Sequence, residues 1–111
     1  MRYTMKDKVT ISSGNVFADI GLPDAEERLA KAQLAHKIAD IIQKRHISQA
    51  EAAKILGTEQ PKISAIMNGK LSGFSLERLI YFLNVLGSDV QIIVKPKPPR
   101  RKSAALEVVF A

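Results

Sequence analysis

The segment from Ser48 to Gly69, SQAEAAKILGTEQPKISAIMNG, constrains the fold more than any other part of the chain. Two short helices can cross steeply over a turn of about three residues only if something small stands where their backbones meet. Ala53 supplies it. Four residues later Gly57 marks the point where the first helix stops, because the chain must swing through a left-handed conformation that costs Gly little. Leu56, Ile63 and Ile66 bracket the turn at helical spacing, so they can close a small core beneath it while the other faces stay polar. Ser48 with Glu51 has capping-box spacing on the first helix. Thr58 is the expected N-cap of the second, and Pro61 is tolerated in its first turn.

Two helices joined in this way form a helix-turn-helix, and the exposed positions at their starts carry amide or cationic side chains. Gln pairs in bidentate fashion with adenine in the major groove, and the N-terminal end of the second helix is the part that reaches base edges. Gln60 and Lys62 are the expected base readers. Gln49 is placed to brace Gln60 or to bind a phosphate at a helix N-terminus, where anions are favoured. Ser64, Asn68 and Lys70 would hold the DNA backbone. Capped helical hairpins with Gly at the bend also occur in proteins that never touch DNA, so the argument rests on the whole pattern being in register.

From Gln49 to Gly69 the chain resembles the helix-turn-helix of the XRE (Cro-like) regulators. The flanks are similar to the HigA-type antitoxins: Asn15–Leu22 (NVFADIGL), Leu56–Ser64 (LGTEQPKIS), Phe74–Leu79 (FSLERL) and Leu86–Val94 (LGSDVQIIV). This similarity runs from about Asn15 to Pro96, roughly three quarters of the chain. It implies an all-α, lambda-repressor-like helix-turn-helix bundle of about five helices with a short C-terminal β-strand. It also implies a repressor of its own operon that neutralises a small toxin, typically a RelE-like ribonuclease. DNA binding follows from the residues themselves, whereas toxin binding follows from the resemblance alone. The alternative is a stand-alone XRE-family regulator with no toxin partner; a weaker one is a protein-interaction module that keeps the motif as scaffold.

Composition agrees with an anionic partner. Seventeen Lys and Arg against eleven Asp and Glu leave a net charge of +6. Lys95, Lys97, Arg100, Arg101 and Lys102 hold most of that excess, so the body before them is only mildly basic. At 111 residues the chain is expected to fold around one modest core. Without Cys there is neither a disulfide framework nor a thiolate metal site. No apolar run approaches a membrane span and the N-terminus lacks a signal-peptide layout, which leads to the expectation of a soluble, cytoplasmic protein with no membrane partner.

Three regions are expected: an N-terminal arm over 1–14, a DNA-binding domain with its C-terminal strand over 15–95, and a basic, Pro-rich flexible tail over 96–111. The arm has weak periodicity, with a possible short strand at Val9–Ile11, and Asn15 can cap a single turn ending at Gly21. A long helix is expected from Asp24 to Arg45, its buried stripe formed by Leu29, Leu34, Ile38, Ile41 and Ile42. Phe74 and Leu79 are spaced as a hydrophobic staple about an N-cap at Ser75, opening a helix to Leu86 that Gly87 ends. Val90, Ile92 and Val94 alternate as in a strand. A lone strand is unstable, so it must pair with the arm or with its copy in a second subunit; the latter gives a homodimer suited to a palindromic operator on double-stranded DNA. In the tail the prolines and like charges oppose regular structure, leaving a segment that either tracks phosphates or merely solubilises. Leu106, Val108, Val109 and Phe110 can add a strand to a partner or fold back on the domain's own surface, and the second carries more weight for a short terminal segment.

Nothing in the sequence points to catalysis, a metal or a cofactor. His36 and His46 are ten residues apart, which is not helical metal-ligand spacing, and Asp24, Glu26 and Glu27 suit a helix start. There is neither a nucleophile motif nor a phosphate-cradling Gly loop.

Overall fold

Acidic side chains at Asp24, Glu26 and Glu27 favour a helix start through the macrodipole, and in the computed structural model, which describes residues 24–111, α1 covers Asp24–Lys44. Its buried stripe is Ala30, Leu34, Ile38 and Ile42, which recur every four residues along one face, with Ala35 beside Leu34. Leu29, expected in that stripe, is instead 59% exposed. Helical phase decides this: once Ala30 and Leu34 turn inward, Leu29 lies about 100° away from Ala30 around the axis. Ile41 is only partly buried against the core.

Three shorter helices follow: α2 at Gln49–Leu56, α3 at Gln60–Met67 and α4 at Leu76–Val85. The capping box on α2 forms in both directions. Ser48 Oγ accepts from the Glu51 N–H at 3.1 Å, and Glu51 Oε1 accepts from the Ser48 N–H at 3.1 Å. At the other end Gly57 takes φ 67° and ψ 34°. The amides beyond the helix turn back onto its last carbonyls, Gly57 N–H to Lys54 O at 3.3 Å and Thr58 N–H to Ala53 O at 2.9 Å. That is a Schellman closure, and it holds the turn.

Thr58 therefore does not cap α3. Its amide is used in closing α2, and the next residue, Glu59, takes the extended N-cap conformation without capping through its side chain. Pro61 stands in the first turn of α3, as expected. On α4, Ser75 Oγ accepts from the Arg78 N–H at 3.0 Å, and Phe74 and Leu79 of the staple are both buried in the same cluster.

Ala52 and Ala53 are buried where α2 meets α3, and their small size lets the two helices approach. Ile38 and Ile42 of α1, Leu56 of α2, Ile63 of α3, Leu79 and Phe82 of α4 and Leu86 just beyond it make the centre of the core. The Arg45 guanidinium donates to the Leu86 carbonyl, joining the end of α1 to the end of α4 and supplying a cation where the dipole is negative.

Among the described residues the fold is all-helical, with four helices and no strand. The expected arm with its strand at Val9–Ile11, and the turn expected from Asn15 to Gly21, lie outside the described residues. Among the described residues Val90 to Lys95 has no ladder partner, though Val90 and Ile92 are partly buried while Gln91 and Ile93 are exposed, an alternation with strand period. The C-terminus folds back on the domain's own surface: the Leu106 N–H donates to Glu26 Oε2 at 2.7 Å, Val108 packs against the core, and Lys37 Nζ lies 5.9 Å from the centre of the Phe110 ring. None of the described helices is long and apolar enough to cross a membrane.

The Gly57 geometry gives one direct expectation. A Cβ at that position meets no atom within 4 Å, so Gly57→Ala tests backbone strain alone. Left-handed strain should lower folding stability by about 1–2 kcal/mol, read from the urea midpoint. An unchanged midpoint would show that the left-handed turn is not required.

Candidate nucleic-acid interface

The start of α3 is an exposed, uncrowded helix end. Ile63 and Ile66 fasten the inner face to the core, leaving Gln60, Pro61 and Lys62 exposed. The first turn holds no acidic residue, and Glu59 at the N-cap makes no side-chain capping bond, so the first amides of the helix are not capped by a side chain. An end of this kind attracts anions and can be offered to the floor of a major groove.

Helix geometry separates the two expected base readers. At 3.6 residues per turn, positions two apart diverge by about 160° around the axis, so Gln60 and Lys62 do not share a face. Gln60 shares its flank with Ser64, which is one turn further on and partly buried. Ser64 and Asn68 do lie together, with Asn68 Nδ2 donating to Ser64 Oγ at 3.4 Å. Lys62 leans the other way, its Nζ 5.3 Å from the centre of the Phe74 ring in the loop before α4. Lys70 is exposed just past α3, with its backbone N–H bonded to Ala65 O at 2.9 Å.

Gln49 occupies the first position of α2, partly exposed beside the capping box. Among the described residues it makes no hydrogen bond to Gln60, which leaves the N-terminus of α2 as its setting. His36 and His46 are both exposed, and His46 takes φ 56° in the turn after α1.

Sequence reasoning missed Arg78. It stands in the first turn of α4 with its guanidinium carbon 5.2 Å from the centre of the Phe82 ring, and together with Lys62 and Thr58 it lines a notch beside α3. The available signal was a cation three residues after an N-cap, where the dipole favours acids.

Comparison with known proteins places this arrangement. A family model described as "Helix-turn-helix domain" matches residues 16–95. A protein of Mycobacterium tuberculosis (strain ATCC 25618 / H37Rv) named "Putative antitoxin HigA3" is 32% identical over 72 residues, covering 64% of this chain and 66% of that protein. The chain thus spans just under two thirds of that relative's length. A solved structure named "Putative XRE Family Transcriptional Regulator" superposes with a TM-score of 0.75 at 49% identity, covering 80% of this chain and 100% of its own.

Proposed function

The chain belongs to the XRE-type helix-turn-helix family of DNA-binding regulators and is HigA-like in sequence, and from that premise we propose that it represses its own operon and neutralises a small toxin, as the antitoxin of a type II pair. The observation that carries the DNA half is the exposed N-terminus of α3, which presents Gln60 with no side chain capping the helix. Gln60 reads base edges. Gln49 binds a phosphate at the N-terminus of α2, while Ser64 on α3 and Asn68 and Lys70 just past its end hold the backbone. No catalytic step is needed for either role.

A homodimer completes the reading. Val90 to Lys95 leaves Ile93 72% and Val94 84% exposed without a ladder partner among the described residues. Antiparallel pairing with a second copy covers those side chains and relates two α3 helices by a two-fold axis, the symmetry of a palindromic operator.

Support for a toxin partner comes from the likeness to the mycobacterial protein and from the HigA-type flanks around the motif. A RelE-like ribonuclease is the class that this likeness implies. The 49% identical regulator supports the second reading, a stand-alone repressor. Co-expression of the tagged chain with its neighbouring reading frame, followed by a sizing column, separates the two. A stoichiometric complex with a small basic protein that is toxic when expressed alone is the expected result. A chain that elutes by itself as a dimer beside a harmless neighbour establishes the stand-alone repressor instead, and elution as a monomer contradicts the two-fold pairing.

A further inference from the structure

Alongside the first turn of α3 lies a notch of about 320 Å³, lined by Thr58, Lys62, Gly73, Phe74, Ser75 and Arg78. It contains two cations and no carboxylate; Glu59 and Glu77, the nearest acids in sequence, are not part of its lining. Both cations sit at the start of a helix, Lys62 on α3 and Arg78 on α4, where the macrodipole favours acidic side chains. Their placement therefore concentrates positive potential at a cost to the helices that carry them.

The side chains are also held in place. Lys62 Nζ lies 5.3 Å from the Phe74 ring centre and the Arg78 guanidinium 5.2 Å from that of Phe82. These two rings are buried and pack edge to face, with centroids 6.4 Å apart and an interplanar angle of 69°. The buried aromatic pair thus acts as a fixed floor under two cation–π contacts. Ser75 Oγ fixes the Arg78 backbone N–H at 3.0 Å, which sets where that side chain leaves the helix. Cations ordered in advance lose less freedom when an anion arrives.

We infer that Lys62 and Arg78 form a clamp for a single phosphate of the DNA backbone, so that Lys62 sets the register of α3 in the groove while Gln60 reads the bases. The inference rests on the proposal that α3 enters the major groove. A helix in the groove has phosphates along both flanks, and the notch opens on the flank that Lys62 takes, away from Gln60 and Ser64. A phosphodiester has the charge and the acceptor oxygens that a guanidinium and an ammonium can share.

The test uses the full chain, one duplex from its own upstream region and one scrambled duplex of equal length. Fluorescence anisotropy measures affinity from about 50 to 200 mM salt for the wild type, Arg78→Gln, Lys62→Gln and the double variant. Both side chains are exposed, so the variants should fold, with thermal unfolding shifted by no more than a few degrees from the wild type. The expected result is equal loss on both duplexes and a salt slope that falls by about 0.9 in the double variant, as for one phosphate. A fall of about twice that size means two separate phosphates and overturns the shared clamp. An unchanged slope overturns it too, as does a Lys62→Gln variant that alters only the preference between duplexes. Inorganic phosphate at constant ionic strength supplies a further arm: competition with DNA on the wild type that is lost in the double variant is the result expected of a site that holds a backbone phosphate, whereas phosphate that binds the wild type through these two side chains without displacing DNA means that the site takes a free anion and the backbone assignment fails. A wild type that binds neither duplex removes the DNA reading itself, whereas a wild type that prefers its own duplex beside an unaffected double variant removes only the clamp.

Discussion

Phe82→Ala is expected to lose about 3–5 kcal/mol of folding stability, close to unfolding a domain of this size. Phe82 is fully buried and joins α4 to the remainder of the core. Its ring meets Phe74 edge to face, tilts against Tyr81 at 6.2 Å and lies under the Arg78 guanidinium. Truncation removes the transfer energy of the ring and leaves a cavity that four short-linked helices cannot collapse into without moving Phe74. Phe82→Leu keeps most of the volume and should lose less than half as much. Urea unfolding followed by far-UV circular dichroism reads both variants. A loss below about 1 kcal/mol for Phe82→Ala would mean that α4 is not packed as described.

Gln60→Ala is expected to leave stability unchanged, because the side chain is exposed, and to reduce preference for the operator by about 1–3 kcal/mol. The loss should fall on the specific duplex alone. A Gln that reads an adenine edge discriminates between bases, whereas a Gln on a phosphate weakens all DNA equally. Competition between the upstream duplex and a scrambled one measures this directly. Equal weakening on both would move Gln60 from the base edges to the backbone, and no weakening on either would remove it from the interface.

The helix-turn-helix was largely legible from sequence because its signals are local. Ser48 and Glu51 cap within one turn of helix, Gly57 accepts a left-handed φ that other residues resist, and Ser75 bonds an amide three residues on. Elements specified by chemistry this close in sequence do not depend on how the rest of the chain packs. Thr58 shows where that reasoning stops. Its hydroxyl suits an N-cap, but its amide completes the turn after α2, and Glu59 takes the cap position instead. Leu29 fails for a different reason: a Leu is more apolar than the Ala beside it, yet helical phase, not side-chain size, decides which one faces inward.

The interface was harder to read for a geometric reason. Gln60 and Lys62 are two residues apart and look like one site in a linear sequence, while on α3 they leave the axis in nearly opposite directions. Arg78 joins Lys62 only because the loop after α3 brings Phe74 and the start of α4 beside it. The strand-like alternation of Val90 to Lys95 was visible, but its partner is not encoded in a single chain's local pattern, since ladder bonds need a second strand.

Titration of the purified full-length chain against a duplex from its own upstream region and against a scrambled duplex, both near 0.15 M salt, tests sequence-specific DNA binding most directly. The expected result is tighter binding to the upstream duplex by about a thousandfold or more, with the preference reduced by Gln60→Ala. Equal affinity for the two duplexes, or a preference that survives Gln60→Ala in full, would contradict the assignment of α3 as the reading helix.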